Sequence, residues 1–253
     1  MSGTGNATGR GQEICRALFF CKRGKYRVYE AAGICDILKL KTKQKKRSTM
    51  IYFTSDLHLG HENSIEFKNR PFSGLDEMNR TLIGNINRTV GVDDELWILG
   101  DFSYRINKEQ VRQLRKQIQC KWVHLVYGNH DKDYSSDHIF QSVQHYKELK
   151  TDYGRVILFH YPIVEWHAAH YGSVHLHGHI HSTGEYNAEN LKKKFADRFP
   201  TGHAPKRPDL NLRIYDVGVD ANNYCPVSLE QIAALMGLTP VHDRQPESCD
   251  EGI

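Results

Sequence analysis

Five short polar motifs, each placed directly after an apolar run, constrain this sequence more than any other feature. They consist of Asp, His and Asn, in most cases next to Gly, and they are Asp56-Leu57-His58, Gly100-Asp101, Gly128-Asn129-His130-Asp131, His160 and Gly178-His179-Ile180-His181. Imidazole, carboxylate and amide oxygen suit divalent ions such as Mn, Fe, Zn or Ni, and a carboxylate can bridge two ions. We therefore predict a site for two metal ions, bridged by Asp101. Two ions about 3.5–4 Å apart can polarise a phosphoryl oxygen and make hydroxide from water, so the implied reaction is phosphoester hydrolysis.

The first part of the motif-bearing region alternates predicted strands with predicted helices. Short β-branched and aromatic runs, typical of buried strands, occur at Ile51–Ser55, Leu96–Leu99 and Trp122–Val126. Apolar residues at helical spacing predict the intervening helices, at Asp76–Val90 with Asp76 as N-cap and at Lys108–Ile118. This alternation implies a parallel sheet, and open α/β sheets place their sites at the carboxyl ends of the strands, where the motifs lie.

The second part of this region is typical of a different kind of sheet. The runs Val143–Leu149, Arg155–Phe159 and Val174–His177 are closely spaced and predict a hairpin-rich second sheet. A further strand is predicted at Leu212–Val219. The sequence thus belongs to the α/β class, with two sheets.

Two more helices are predicted towards the carboxyl end. One covers Asn190–Phe199 and carries Lys192, Lys193 and Lys194 on an exposed face; the other covers Ser228–Leu238, with Ser228 as N-cap. We expect residues 50–238 to form one catalytic domain and residues 239–253 to form a polar tail.

The surplus of basic over acidic residues is confined to the first 49 residues of the chain. They carry twelve Lys and Arg against three Asp and Glu, a net charge of +9. Since the formal net charge of the whole chain is +4, residues 50–253 carry −5. An acidic body argues against a general polyanion-binding surface, and bound divalent ions would partly offset it. We predict that residues 1–49 are a poorly ordered extension. A targeting segment, a basic arm for nucleic acid and a natural start at Met50 are the alternatives.

Cysteine usage and hydropathy indicate the compartment. The six cysteines are Cys15, Cys21, Cys35, Cys120, Cys225 and Cys249. None forms a CxxC pair or falls inside a motif, so we interpret them as reduced thiols of a cytoplasmic protein. Because no run reaches membrane-spanning length and the apolar stretch 17–20 is too short for a signal peptide, we expect no membrane partner.

The five motifs, in this order, resemble the signature blocks of the calcineurin-like metallophosphoesterase superfamily over roughly Met50 to Leu238. The amino-acid sequences of Phe53–His61, Arg70-Pro71-Phe72 and Asp216–Asp220 are similar to those of a small bacterial and phage branch of uncharacterised phosphoesterases. The resemblance implies a four-layer α/β/β/α sandwich of two mixed sheets flanked by helices.

The resemblance also implies a role for each motif residue. Asp56, His58 and His181 would hold one ion, Asn129, His160 and His179 would hold the other, and Asp101 would bridge them. His130 would be the general acid beside the leaving group, with Asp131 orienting it. The chemistry is consistent with this, because a departing alkoxide needs a proton and imidazole titrates near neutral pH.

Several other polar residues stand near the motifs. His175 and His177 alternate in phase with the motif histidines, but we interpret them as hydrogen-bonded strand residues, with His177 a minor candidate for the site rim. Arg105 and Asn63 are candidate substrate contacts. The guanidinium of Arg105 can bind a phosphate in bidentate fashion. For Arg105, as for Arg70, a surface salt bridge is an equal alternative.

We therefore predict a phosphoric ester hydrolase that uses two divalent ions, among Mn, Fe, Ni, Zn and Mg, to cleave phosphomonoesters or phosphodiesters. Its expected partner is a small phosphoester or nucleotide, and nucleic acid is less favoured. The alternatives are a nuclease or nucleotide phosphodiesterase that uses the basic arm, and a non-catalytic metal-bound scaffold. The intact set of ligand positions with His130 argues against a scaffold, which needs no leaving-group acid.

Overall fold

The computed structural model describes residues 48–198 and 210–241. The predicted N-terminal extension, the predicted C-terminal tail and the predicted loop 200–208 lie wholly or mostly outside the described residues. Of the cysteines in the described ranges, Cys120 and Cys225, neither forms a disulfide. None of the helices in these ranges combines the length and the apolar character that crossing a bilayer requires.

The described residues form two sheets. The strands in chain order are β1 (Ile51–Thr54), β2 (Glu95–Ile98), β3 (Trp122–Val126), β4 (Ser142–Gln144), β5 (Tyr146–Thr151), β6 (Gly154–Phe159), β7 (Val174–His177), β8 (Ile214–Asp216) and β9 (Val227–Ser228). The first sheet has the order β4-β3-β2-β1-β9, in which β1 to β4 are parallel and β9 is antiparallel to β1. The second has the order β5-β6-β7-β8. Both sheets are mixed, as predicted.

The second sheet contains a single hairpin within the described residues, so the prediction of a hairpin-rich sheet is wrong. Strands β5 and β6 pair antiparallel, whereas β6, β7 and β8 run parallel. The connection 160–173 is long enough for the crossover that parallel strands need. The predicted strand Val143–Leu149 is in fact two strands, because the chain leaves the first sheet after β4 and enters the second at β5.

Helices flank the two sheets. They are α1 (Asn63–Phe67), α2 (Leu75–Thr89), α3 (Lys108–Gln117), α4 (Gly184–Asn190), α5 (Phe195–Arg198) and α6 (Leu229–Leu235). Helix α6 begins with a capping box between Ser228 and Gln231, which confirms Ser228 as N-cap. The N-cap of α2 is Gly74 and not Asp76, which lies within the first turn.

The predicted helix Asn190–Phe199 is also wrong. Helix α4 ends at Asn190, and a turn separates it from the short helix α5. The apolar ring of Phe195 is only 5% exposed, so this segment follows the core rather than presenting one exposed face. Lys192, Lys193 and Lys194 are exposed between the two helices, as expected.

Three apolar clusters separate the layers. Phe53, Trp97 and Leu99 from the first sheet pack against Val156, Leu158 and Leu176 from the second. On the outer face of the first sheet, strand residues such as Leu96 pack against Met78, Leu82 and Val111 of α2 and α3. Ile157 and Ile214 of the second sheet pack against Trp166 and Phe195. This layering confirms the predicted α/β/β/α fold.

Candidate metal centre

All five motifs lie at the carboxyl ends of strands, along one edge of the two sheets. Asp56 and His58 follow β1, Asp101 follows β2, Asn129 follows β3, His160 follows β6, and His179 and His181 follow β7. Backbone hydrogen bonds join the loops: the amide of Asp56 donates to Gly100 O (3.1 Å) and that of His58 to Asp101 O (2.9 Å). In the second sheet, the amide of Gly178 donates to His160 O (2.9 Å).

Most of the predicted metal ligands have a left-handed backbone. The φ angles are 56° at Asp56, 50° at His58, 53° at Asp101, 73° at His179 and 47° at His181. Each such conformation in a non-glycine residue costs about 1–3 kcal/mol and persists only where its surroundings hold it. Such strain is concentrated at functional sites, so its clustering here marks the site independently of the side chains.

Two motif glycines leave room for the ligands. Gly100 has a φ of +94°, and a Cβ there would collide with Nδ1 of His160 and the backbone of Gly128. A Cβ on Gly178 would collide with Ser55 Oγ and with the carboxylate of Asp56. The glycines therefore allow strand ends from both sheets to approach each other at the site.

Asp56, His58 and His181 form one half of the cluster. Nε2 of His181 lies 3.2 Å from Nε2 of His58 and 3.8 Å from Oδ1 of Asp56. Nδ1 of His181 donates to Oδ2 of Asp220 (2.7 Å), which leaves Nε2 with a lone pair directed into the site.

Asn129, His160 and His179 form the other half. His160 Nδ1 donates to the carbonyl of Leu99 (2.7 Å), so its Nε2 is an acceptor, and this atom lies 3.1 Å from Oδ1 of Asn129. Nδ1 of His179 lies 3.0 Å from the same amide oxygen. Electron-rich atoms thus converge here as well.

Asp101 lies between the two halves, where a bridging ligand would have to be. Its Oδ2 is 3.5 Å from Nε2 of His58 and 3.6 Å from Nε2 of His160. Its Oδ1 accepts a hydrogen bond from the backbone amide of His130 (2.9 Å). The side chain is 2% exposed, so its charge faces the cluster rather than solvent.

The electrostatics of the cluster fit divalent cations. Burial, together with the nearby carboxylates of Asp216 and Asp101, raises the pKa of Asp56 well above its ordinary value, and Oδ1 of Asp56 is buried without a hydrogen-bond partner. Burial and the neighbouring His181 lower the pKa of His58 to about 2, so this imidazole is neutral and able to bind metal. A cation would compensate the buried carboxylates and provide the partner that Asp56 Oδ1 lacks.

His130 lies at the rim of the cluster, and Asp131 lies beneath it. The His130 side chain is 37% exposed, and its Nε2 is 4.0 Å from Oδ2 of Asp101. The carboxylate of Asp131 accepts hydrogen bonds from the backbone amides of Asp101 (2.8 Å), Phe102 (3.0 Å) and Gly128 (2.9 Å). Asp131 therefore fixes the loops after β2 and β3. The role that the resemblance implies for it, orienting the His130 ring, stays a prediction.

The three residues considered for phosphate binding have different environments. Arg70 is buried and forms a bidentate ion pair with Asp220, so it is neither a phosphate contact nor a surface salt bridge. Arg105 is exposed, with its guanidinium 5.0 Å from the centre of the Tyr104 ring, near the cluster. Asn63 is exposed at the start of α1 and does not line the cleft.

A cleft of about 220 Å³ opens over the cluster. Besides the motif residues, it is lined by His61, Ser64, Phe67 and Lys68. His61 stacks on Tyr104, with ring centroids 3.8 Å apart, and its Nδ1 lies 3.4 Å from Nδ1 of His58. Phe67 and Lys68 belong to no motif and were not predicted from the sequence, because the position of α1 over the cluster is a tertiary feature.

The histidines interpreted as strand residues are hydrogen-bonded, as expected. His175 and His177 are fully buried in β7. Nδ1 of His175 lies 3.3 Å from Ile157 O, and Nδ1 of His177 lies 2.9 Å from Gly178 O. Their burial keeps both away from the rim of the site.

Comparisons with known proteins show the family of this chain and proteins with similar sequences and folds. The profile of the calcineurin-like phosphoesterase family matches residues 49–221. The uncharacterized protein MJ1445 of Methanocaldococcus jannaschii is 33% identical over 187 residues, which is 74% of this chain and 90% of that protein. The gene 66 protein of Mycobacterium phage L5 is 29% identical over 166 residues, 52% of this chain and 77% of that protein. The crystal structure of AQ665 from Aquifex aeolicus, a protein of unknown function, matches with a TM-score of 0.54 at 25% identity and covers 74% of this chain and 99% of that one.

Proposed function

This chain belongs to the calcineurin-like phosphoesterase family, and we propose that it is a metal-dependent hydrolase of phosphomonoesters or phosphodiesters. The observation that carries the proposal is the convergence of acceptor atoms from the other four motifs around the buried carboxylate of Asp101. Little in folding alone favours such an arrangement, because unpaired acceptors that face each other in a protein interior repel.

The proposal assigns the ligands to two divalent ions. Asp56, His58 and His181 would hold one ion, Asn129, His160 and His179 would hold the other, and Asp101 would bridge them. Such ions, when bound, supply Lewis-acid polarisation of a phosphoryl oxygen and an activated water near neutral pH. The mixture of imidazole, carboxylate and amide ligands is compatible with Mn, Fe, Ni, Zn or Mg.

His130 is the proposed proton donor to the leaving group. Its half-exposed ring lies at the rim of the cleft, while its backbone is held by the Asp101 carboxylate. The side chain is therefore anchored beside the metal ligands and still open to substrate. A positioned imidazole of this kind typically accelerates proton transfer by about 10²–10⁴-fold.

The proposed substrate is a small phosphoester or nucleotide. The cleft is small, at about 220 Å³, and the exposed Lys68 lines it. Lys68, together with Arg105 beside Tyr104, would attract the phosphate oxygens that do not contact metal. Asn63 is not part of this proposal, because it does not line the cleft and carries no positive charge to attract a phosphate.

Hydrolysis of two chromogenic esters tests the proposal. Metal-stripped protein is reloaded with Mn²⁺ and assayed on bis-p-nitrophenyl phosphate and on p-nitrophenyl phosphate, with the Asp101→Asn variant as control. Turnover that requires metal and is lost in the variant would support the proposal, and the preferred ester would indicate the substrate class. If Mn²⁺ gives no turnover, the protein is reloaded in turn with Fe, Ni, Zn and Mg, and absence of turnover with all five metals would favour the scaffold alternative.

A further inference from the structure

The ion pair between Arg70 and Asp220 is part of neither the proposed ligand set nor the proposed acid. Arg70 donates from Nε to Oδ1 of Asp220 and from Nη2 to Oδ2, each at 2.9 Å. The Arg70 side chain is 0% exposed and that of Asp220 is 10% exposed. A buried pair of this kind is expensive to desolvate and is by itself weak evidence of a stabilising role, so its other contacts matter.

One end of the pair holds a proposed ligand. Oδ2 of Asp220 accepts the Nδ1 proton of His181 at 2.7 Å. This bond fixes the tautomer and the orientation of the ring, so that Nε2 points towards His58 and Asp56. Metal-binding histidines are commonly oriented by a carboxylate in this way, and loss of the carboxylate typically costs about 10–100-fold in metal affinity.

The other end of the pair holds the turn that carries two further ligands. Nη2 of Arg70 donates to the carbonyl of Asp56 (2.8 Å), and Nη1 donates to the carbonyl of Leu57 (3.2 Å). This turn has a left-handed backbone at Asp56 and at His58, which tertiary contacts must maintain. The planar guanidinium can satisfy two carbonyls and a carboxylate at once, which an ammonium group cannot do with the same geometry.

The second half of the cluster is held by different groups. His160 is oriented by the carbonyl of Leu99, and Asn129 lies against His160 and His179. Within residues 48–198 and 210–241, the hydrogen bonds of Arg70 and Asp220 do not include these three residues. The direct hydrogen bonds of the ion pair therefore reach ligands of one half of the centre only, although Oδ2 of Asp56 also accepts from the backbone amide of His179 (2.9 Å).

From this asymmetry we infer that Arg70 and Asp220 are positioning residues for the metal site formed by Asp56, His58 and His181. Their loss lowers the affinity of that site and spares the site formed by Asn129, His160 and His179. The inference rests on the proposed function in so far as both require two bound ions.

Titration of the metal-stripped full chain with Mn²⁺ alone tests the inference. Isothermal calorimetry gives the number and affinity of the ions, and electron paramagnetic resonance distinguishes a coupled pair of Mn²⁺ ions from a single one. The variants are Asp220→Asn, Arg70→Met and the double variant, which leaves no unpaired buried charge if a single variant does not fold. The control is Asp94→Asn, a buried carboxylate that accepts from the amides of Met50 and Gly91 at the start of β2.

We expect wild type and Asp94→Asn to bind two ions that give the coupled spectrum. Each Arg70 or Asp220 variant should keep one ion at wild-type affinity, bind the second about 10–100-fold more weakly and show an uncoupled spectrum at one equivalent. Equal weakening of both ions, or two unchanged ions with the coupled spectrum, would overturn the inference and leave the proposed function intact. A wild-type protein that binds no Mn²⁺ would overturn both.

Discussion

Nε2 of His160 lies 3.1 Å from Oδ1 of Asn129, and both atoms are hydrogen-bond acceptors. The imidazole proton is committed to Leu99 O on the other side of the ring, and burial lowers the pKa of His160 so that the ring is neutral. Two acceptors at this distance repel each other unless a cation lies against them. This pair therefore indicates the charge that the site is built to receive.

The first prediction concerns stability on metal loading. Mn²⁺ should raise the melting temperature of metal-stripped protein, because an ion that binds only the folded state at 100 times its Kd contributes about 2.7 kcal/mol per site. Thermal unfolding with and without Mn²⁺, in wild type and in His160→Gln, measures this effect. The variant should show a smaller rise, and His167→Ala, an exposed histidine outside the cluster, should match wild type. An equal rise in His160→Gln would contradict the assignment of His160 as a ligand.

The second prediction concerns the leaving group. His130→Ala should lower kcat by about 10²–10⁴-fold on an alkyl phosphoester, because an alkoxide cannot leave without a proton. It should have much less effect on a p-nitrophenyl ester, whose phenolate leaves readily, and the metal content should not change. Steady-state kinetics on the two esters, with metal analysis, provide the comparison. Full activity of the variant on the alkyl ester would rule out His130 as the acid.

The third prediction concerns the close approach at Gly178. In Gly178→Ala the new methyl group would collide with Ser55 Oγ and the Asp56 carboxylate, so both stability and Mn²⁺ affinity should fall. Gly184→Ala is the matched control, since its Cβ would meet only Ala221 O at 3.5 Å. Gly184 is the first residue of α4, so alanine there should be neutral or stabilising by up to about 1 kcal/mol. Wild-type melting and metal binding in Gly178→Ala would disprove the steric argument.

The fourth prediction concerns pH and a histidine outside the metal centre. His124 stacks on Trp97 with ring centroids 4.3 Å apart, and burial lowers its pKa, with Glu95 opposing the shift. The unfolded chain, with an ordinary pKa of about 6.5, takes up the proton first, so the contribution of His124 is complete above about pH 6.5 and is lost as the pH falls.

Chemical denaturation of wild type and His124→Gln between pH 4.5 and 7.5 tests this. The difference between their unfolding free energies should shrink as the pH decreases, by at most about 1.4 kcal/mol per pH unit. Both proteins are loaded with metal, so that the ligand histidines titrate equally in the two. A difference in unfolding free energy that is constant across the pH range would show that protonation of His124 does not affect stability.

The sequence predicted the elements that depend on local pattern. The strand Trp122–Val126 has the predicted bounds, and Ser228 caps α6, because a β-branched run and a capping box are short-range signals. The strand predicted at Val143–Leu149 was wrong because alternation cannot show that a chain changes sheets at His145. The prediction of Asp76 as N-cap was wrong because acidic residues are favourable within the first turn of a helix as well as at its N-cap.

By itself the sequence determined the α/β class with two sheets and the residue types of the candidate centre, whereas the four-layer arrangement was implied by the family resemblance. It did so because apolar periodicity specifies buried strands and because Asp, His and Asn at their ends have few other uses together. Only the tertiary structure decided that Arg70 and Asp220 form a buried pair behind His181 and that Asp131 binds the backbone of Asp101. These contacts join residues far apart in the chain, and no local pattern encodes them. They arise where the strands of two sheets bring their carboxyl ends to one edge.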